Sequence, residues 1–170
     1  MQFKNWLINE EIKLKIKKQS QNHDCGPAAL FSILSYFNIK NIDYKKLTLL
    51  CRTTKNKGTS PDNIVMVAKN FGLKVKKHYK MTLKQLQNYT DNNKPVLVPI
   101  QSWGNEKNKK LLLSGHYVIV TKIDHDFVHF KDPFYQSKDN RKMKKDEFLQ
   151  IWIDKLNGKK MKQFGIVFEN

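Results

Sequence analysis

Cys25 follows a polar loop, Gln19-Ser20-Gln21-Asn22-His23-Asp24, and precedes Gly26-Pro27-Ala28-Ala29-Leu30. From the cysteine onward, apolar residues recur at Ala29, Leu30, Ile33, Leu34 and Phe37, the three-and-four spacing of one buried helical face. Asp24 has the type of an N-cap, and Pro27 is tolerated in a first turn that has no intrahelical use for its N–H. Cys25 is therefore expected at a helix N-terminus, where the macrodipole and unpaired N–H groups favour a thiolate. Gly26, lacking a side chain, would let a substrate backbone come close. A free cysteine is more often a small buried apolar residue than a nucleophile. The chemical reading therefore requires a base and an orienting partner elsewhere in the chain.

Both are present. Gly115-His116 opens the run Tyr117-Val118-Ile119-Val120, which puts His116 at the end of a buried strand with room beside it at Gly115. Phe127 to Lys131 reads as the next strand, after a tight Asp124-His125-Asp126 turn, and it runs out into Asp132-Pro133. The proline stops the ladder and fixes Asp132 at the strand end. A hairpin brings His116 and Asp132 to one end of the sheet, so the carboxylate can hold one imidazole nitrogen while the other faces Cys25. Nucleophile, base and orienter are the parts that covalent catalysis needs. Taken singly, His116 reads as readily as a satisfied core histidine, and Asp132-Pro133 as an ordinary turn. Joint placement carries the reading. His125 and His129 are four residues apart with no third ligand nearby, so no metal site is expected, and no cofactor is expected either.

The elements that must position these groups follow from periodicity and turn chemistry. Residues 3 to 17 alternate loosely and read as a short strand or arm, 1–14 being its N-terminal part. The helix from Cys25 is expected to end near Asn38, a residue that tolerates a left-handed cap. Asp43 to Cys51 reads as a second helix, with Tyr44, Leu47, Leu50 and Cys51 facing inward. Ser60-Pro61 opens a third, with Ile64, Val67, Ala68 and Phe71 inside and Gly72 ending it. Leu73 to Tyr79 reads as a strand, and Thr82-Leu83-Lys84-Gln85 as a capping box that opens a short helix. Pro95 to Gln101 and Gly115 to Ile123 are near-continuous apolar strands, buried on both faces. A helix over 144–152 and a strand over 164–168 complete the chain. Helices gather in the first half and strands in the second, which predicts one α+β domain over 1–170 with a helical layer on a mostly antiparallel sheet.

Composition narrows the classes. Apolar residues make up 39% and charged residues 28%, as in a globular chain. Two cysteines form no disulfide framework. No signal-peptide run is read at the N-terminus, and no stretch nears the ~18 apolar residues of a membrane span. A cytoplasmic location is the resulting expectation. The 32 Lys plus Arg against 15 Asp plus Glu give a formal charge of +17, which by itself suggests nucleic acid, anionic membrane or an acidic partner. Only Arg52 and Arg141 are arginines, however, and lysines spread along the whole chain among many asparagines. That pattern argues against nucleic acid and reads as compositional bias, with the runs at 107–110, 142–145 and 159–162 as solvated surface in preference to a binding patch.

These motifs together resemble the bacteriocin-processing, double-glycine leader peptidases of the papain-like cysteine peptidase superfamily. The resemblance rests on Gln19 six residues before the cysteine, on Asp24-Cys25-Gly26-Pro27-Ala28-Ala29-Leu30, on Gly115-His116-Tyr117-Val118-Ile119-Val120, and on Asp132-Pro133 sixteen residues after the histidine. Lys57-Gly58-Thr59-Ser60 opening a helix is similar too. The likeness implies a papain-like fold with Cys25 as nucleophile, His116 as base and acid, and Asp132 as its orienter. It also implies Gln19 as an oxyanion-hole donor beside the Cys25 backbone N–H. The residues alone leave Gln21 a rival for that donor; only the family spacing selects Gln19.

The best-known members form the N-terminal domain of an export transporter. This chain has no membrane span or nucleotide-binding motif and so resembles the stand-alone relatives, for which a separate export transporter is the expected partner. Trp103 is a candidate wall of the cleft, or else packs on the sheet edge. Gly26 and Gly115 are the other expected substrate contacts. Three functions follow: a cysteine peptidase acting on a peptide or leader sequence after Gly-Gly or other small residues, a peptidyl transferase using the same site, and an inert basic module binding nucleic acid or anionic membrane.

Overall fold

Val96 to Ile100 and Tyr117 to Val120 are buried at every position, and strands without a polar face must lie at the centre of a sheet covered on both sides. They do so in the computed structural model, which describes residues 10–101, 115–156 and 158–170. Trp103 and residues 1–9 of the expected arm fall outside these. Helices α1 (Cys25–Tyr36), α2 (Tyr44–Leu50) and α3 (Pro61–Asn70) come first. Strand β1 (Lys74–His78), α4 (Leu83–Asp91), β2 (Val96–Gln101), β3 (Gly115–Ile123), β4 (Phe127–Lys131) and β5 (Asn140–Lys144) follow. Then come α5 (Lys145–Ile151), β6 (Ile153–Leu156), β7 (Lys159–Lys162) and β8 (Gly165–Glu169). Six strands form one sheet in the order β1-β8-β2-β3-β4-β5, each pair antiparallel, while β6 and β7 make a separate hairpin.

Alternation along the strands divides the apolar residues between two cores. Leu97, Tyr117, Ile119, Ile166 and Phe168 pack with Leu30, Ile33 and Leu34 of α1, Leu47 of α2 and Ile64 and Val67 of α3. Val96, Val98, Val118, Val120 and Val167 face the other way and pack under Leu86 of α4 and Phe148 of α5, together with Trp152. The architecture is α+β, as expected, with helices on both faces of the sheet. Residues 10–17 of the arm form no assigned strand. Its alternation is real, since Ile12, Leu14 and Ile16 are buried in the first core. A register shift in β3 between Val120 and Lys122 frees Thr121, whose carbonyl accepts from Ile12 N–H and whose hydroxyl donates to Glu11.

Local chemistry sets most boundaries. Asn38 has φ +59° and Gly72 φ +89°, the left-handed positions that end α1 and α3. Asp43, Ser60 and Thr82 accept side-chain cap bonds at α2, α3 and α4, and Thr82 with Gln85 completes the capping box. Two expectations need correction. Leu50 is 42% exposed, because α2 spans only seven residues and buries just Leu47. Asp24 makes no side-chain cap on α1; its carboxylate is committed to the loop before the helix.

Candidate active site

The loop that delivers Cys25 is folded around Asp24. One carboxylate oxygen accepts from Gln21 N–H at 2.9 Å, and the other from Ser20 N–H at 3.2 Å, the Ser20 hydroxyl at 2.7 Å and the Tyr44 hydroxyl at 2.8 Å. Tyr44 lies on α2, so the loop is tied to a second helix. Burial, then the bond to Asp24, raises the phenol pKa well above its ordinary value, keeping it a neutral donor. Tyr44→Phe removes a hydrogen bond to a charged group and should lower folding stability by about 1.5–3 kcal/mol, read by urea titration. α1 itself is buried around most of its circumference. Its one interior hydroxyl, Ser32, donates to Ala28 O and accepts from Lys17 N–H.

Cys25 ends up 8% exposed, at the wall of a cleft of about 730 Å3 that His116, Gly115 and Tyr117 also line. His116 is 5% exposed, and its Nε2 lies 2.8 Å from Asp132 Oδ1. Cys25 lies beside the same ring and acts on its titration. Burial pulls the imidazole pKa down, but the hydrogen bond to Asp132 and the influence of Cys25, with the charges of both, prevail and lift it to about 9. The ring of Phe134 stands edge-on to His116 at 6.5 Å.

Asp132 is fully buried, and its environment holds it as a carboxylate. Oδ1 accepts from His116 and from Phe134 N–H at 2.9 Å; Oδ2 accepts from the Ser137 hydroxyl at 3.0 Å and from Arg141 Nη1 at 2.8 Å. Burial raises the carboxyl pKa, but these donors outweigh it and bring it to about 2. Arg141 comes from β5 and rests over the Phe130 ring. The loop after Asp132 is clamped from below by Lys18, whose ammonium donates to the carbonyls of Asp132, Phe134 and Ser137 and pairs with Asp139 at 3.0 Å. The next backbone N–H, that of Gln19, donates to Pro133 O at 2.8 Å. The segment leading to the cysteine and the segment carrying the aspartate are therefore stitched together.

Gln19 is 4% exposed, and its Nε2 donates to Gln21 O at 2.7 Å. No described residue takes the amide's second N–H, and Oε1 is buried without a hydrogen-bond partner. The Gln21 carbonyl thus orients the Gln19 amide. Gly26 plays a different part from the one expected. A Cβ there would stand 2.8 Å from both Cβ and Oγ1 of Thr59, so the missing side chain lets the loop before α3 close on α1, not a substrate. At Gly115 a Cβ would stand 2.8 Å from Asp154 Oδ1, which accepts from Gln101 Nε2 at 3.1 Å and Lys155 N–H at 2.7 Å. Burial raises the Asp154 pKa. Gly115 thereby seats the β6–β7 hairpin against the cleft.

Cys51, the other cysteine, is fully buried, and burial pushes its thiol up to about 12. Among the described residues no group of His, Cys, Asp or Glu could hold a metal ion, and no helix is long and apolar enough to cross a membrane.

The Peptidase C39 family model matches residues 13–156. The chain belongs to the Peptidase C39 family. It is a cysteine peptidase of papain-like fold, similar to double-glycine leader peptidase domains. This C39 chain is 27% identical over 143 residues to the SPbeta prophage-derived sublancin-168-processing and transport ATP-binding protein SunT of Bacillus subtilis, covering 83% of itself and 18% of that protein. It thus spans under a fifth of that relative's length. Its fold is similar to that of a double glycine motif protease from an AMS/PCAT transporter, solved with the leader peptide: TM-score 0.68, 18% identity, 95% of this chain and 94% of that one. It is also similar to the peptidase domain of Streptococcus ComA, a bifunctional ABC transporter involved in quorum sensing, with TM-score 0.68, 25% identity and coverage of 91% and 96%.

Several residues that build the candidate site carry no sequence motif. Lys18 and Arg141 are lost among 32 basic residues, Tyr44 reads only as helix core, and Asp154 lies in a hairpin without an apolar run.

Proposed function

We propose that this chain is an endopeptidase for peptides carrying a small-residue, Gly-Gly type sequence before the cut, and that Cys25, His116 and Asp132 perform the chemistry. The observation that carries the reading is that Cys25 and His116 line one open cleft, with the His116 ring held by a buried, fourfold-donated carboxylate. The thiolate of Cys25 attacks the scissile carbonyl carbon, and the carbonyl electron pair moves to oxygen. The second N–H of Gln19 and the backbone N–H of Cys25 would receive that oxyanion. His116 Nδ1 gives its proton to the departing amine as the C–N bond breaks, leaving a thioester. Water then loses a proton to the same nitrogen and adds to the thioester, and collapse releases the acid and the thiolate.

Asp132 acts by holding Nε2, so that Nδ1 is the nitrogen that faces the sulfur. The leader-peptide class is supported by what the relatives are described as processing. The deciding test is the rate of iodoacetamide labelling at Cys25 against pH, in the natural protein and in His116→Ala, with buried Cys51 as internal control. Fast labelling of Cys25 well below pH 8, lost or shifted upward in the variant, is expected. Equal, slow labelling of both cysteines in both proteins would remove the nucleophile and leave a binding module. Product masses with and without an added amine separate hydrolysis from acyl transfer.

A further inference from the structure

Asp132 is fully buried and carries one negative charge, yet two basic side chains are bonded to it. His116 Nε2 lies 2.8 Å from Oδ1, and Arg141 Nη1 donates to Oδ2 at 2.8 Å. A guanidinium keeps its charge across the whole working range of pH, whereas an imidazole does not. The carboxylate is therefore matched charge for charge while His116 is neutral, and protonating His116 leaves the three groups with a net positive charge. In a buried setting that excess is costly and calls for a further anion. Cys25, on the wall of the same cleft, can supply it as a thiolate. Asp154, from β6, lines that cleft too, but its Oδ1 is turned to Gln101 and the Lys155 N–H.

Arg141 stands on the edge strand β5, opposite Phe130 of β4, with its guanidinium 5.5 Å from the centre of that ring. It is one of only two arginines among 32 basic residues. Lysine would serve less well here, because an ammonium has no flat face to lay on Phe130 and is more strongly hydrated. The other charges near the carboxylate are already answered. Lys18 donates to the carbonyls of Asp132, Phe134 and Ser137 but is paired with Asp139, and Lys131 is paired with Glu11 at 3.4 Å. The remaining donors to Asp132, Phe134 N–H and the Ser137 hydroxyl, are neutral. Arg141 thus sets how much of the carboxylate's charge is left for the imidazole.

We propose that Arg141 is a positioning residue of this site, acting through Asp132: by holding Oδ2 with a permanent charge, it leaves the carboxylate to orient the His116 ring without retaining its proton. That proton stays available to the departing amine, and the Cys25 thiolate becomes the principal counter-charge of the imidazolium. The inference rests on the peptidase reading above and adds the residue that tunes its acid. Its effect has a sign that damage to the loop would not have. With residue 141 uncharged, Asp132 stays ionised above pH 6 on its other donors, and its full charge falls on His116, which should hold its proton to higher pH. A loop merely loosened would instead let Asp132 drift from the ring, and His116 would lose its proton at lower pH.

The test reads the His116 titration directly, by NMR of the full chain labelled with isotopic histidine. The chain bears Cys25→Ala so that the thiol does not titrate alongside, and the His116 signal is assigned by its loss in His116→Gln. Arg141→Gln should raise the His116 midpoint by about half to one pH unit. Arg141→Lys, which keeps a charge, should move it less than half as far, and Asp132→Asn should move it the opposite way. Arg141→Met, with an apolar stem over the Phe130 ring, replaces the Gln variant if that does not fold. An unchanged or lowered midpoint in the uncharged variant, or an equal rise in Arg141→Lys, would overturn the inference. So would failure of both uncharged variants to fold while Arg141→Lys does, which would make Arg141 a structural ion-pair partner. In the Cys25-bearing chain, Arg141→Gln should lower kcat on a Gly-Gly peptide about three- to tenfold with KM within about twofold, and move the falling limb of the pH–rate profile upward. A raised midpoint in a protein whose natural chain cleaves nothing supports the tuning and removes the peptidase reading. Cleavage by the natural chain with no rise in the variant's midpoint keeps that reading and removes the tuning.

Discussion

Cys25→Ala should lower the rate of cleavage of a Gly-Gly peptide by about 10⁴-fold or more, the scale on which nucleophile deletions act in acyl-transferring hydrolases. The folded state should be almost unchanged, because Ala removes one partly accessible sulfur and leaves the α1 core intact. His116→Ala should cost a similar factor, and the double variant little more than either alone, because the proposed mechanism has the two groups act in the same steps. Initial rates by mass spectrometry, with thermal melts of each variant, check both points. Additive losses would mean that the pair does not share a step.

Asp132→Asn should cost about 10²–10⁴-fold in kcat/KM, and it carries a pH signature that simple damage would not. The amide has one accepting oxygen where the carboxylate has two, so the donors Phe134 N–H, Ser137, Arg141 and His116 cannot all be satisfied. The amide weakens the hydrogen bond to Asp132 that raises His116 and removes the carboxylate charge, so the imidazole should titrate below about 9, while Cys25 still holds part of the shift. The falling limb of the pH–rate profile should move down with it.

Folding stability supplies an independent readout. The raised His116 contributes stability that is fully present below its ordinary value of 6.5 and is lost as pH rises through about 9. The depressed Asp132 contributes stability that is present above 3.8 and lost as pH falls through about 2. Both contributions are complete between about pH 4 and 6.5, and in that window urea midpoints should separate Asp132→Asn from the natural protein most widely. A variant whose stability deficit is flat from pH 2 to 9 would sink this account of the pair.

Much of this was written in local sequence. The capping residues Asp43, Ser60 and Thr82 act on neighbours three residues away, so the starts of α2, α3 and α4 are legible without any tertiary knowledge. Strands β2, β3 and β8 announce themselves because burial on both faces demands apolar residues at nearly every position, and β4 is marked by the tight turn before it. The hairpin turn then carries His116 and Asp132 to one sheet end by register alone. Strand β5 and the β6–β7 hairpin were not legible, since Asn140 to Lys144 and Lys159 to Lys162 are half-exposed edge elements whose pairing is made by backbone atoms. A lysine-rich strand carries the same composition as a solvated loop.

What only the tertiary structure decided concerns groups whose partners are distant in the chain. Asp24 has the residue type of a cap, yet its carboxylate finds Tyr44 and the N–H groups of its own loop. Gly26 has the look of a substrate contact, yet Thr59 fills the space it leaves. Lys18 reaches across 119 residues to the Ser137 carbonyl, and Arg141 reaches Asp132 from a strand that sequence hides. The sequence by itself determined the proposed reacting groups and the local elements that hold them, because spacing and caps act over a few residues. The hydrogen-bond partners that set their charge depend on contacts between distant segments and exist only once the chain has folded.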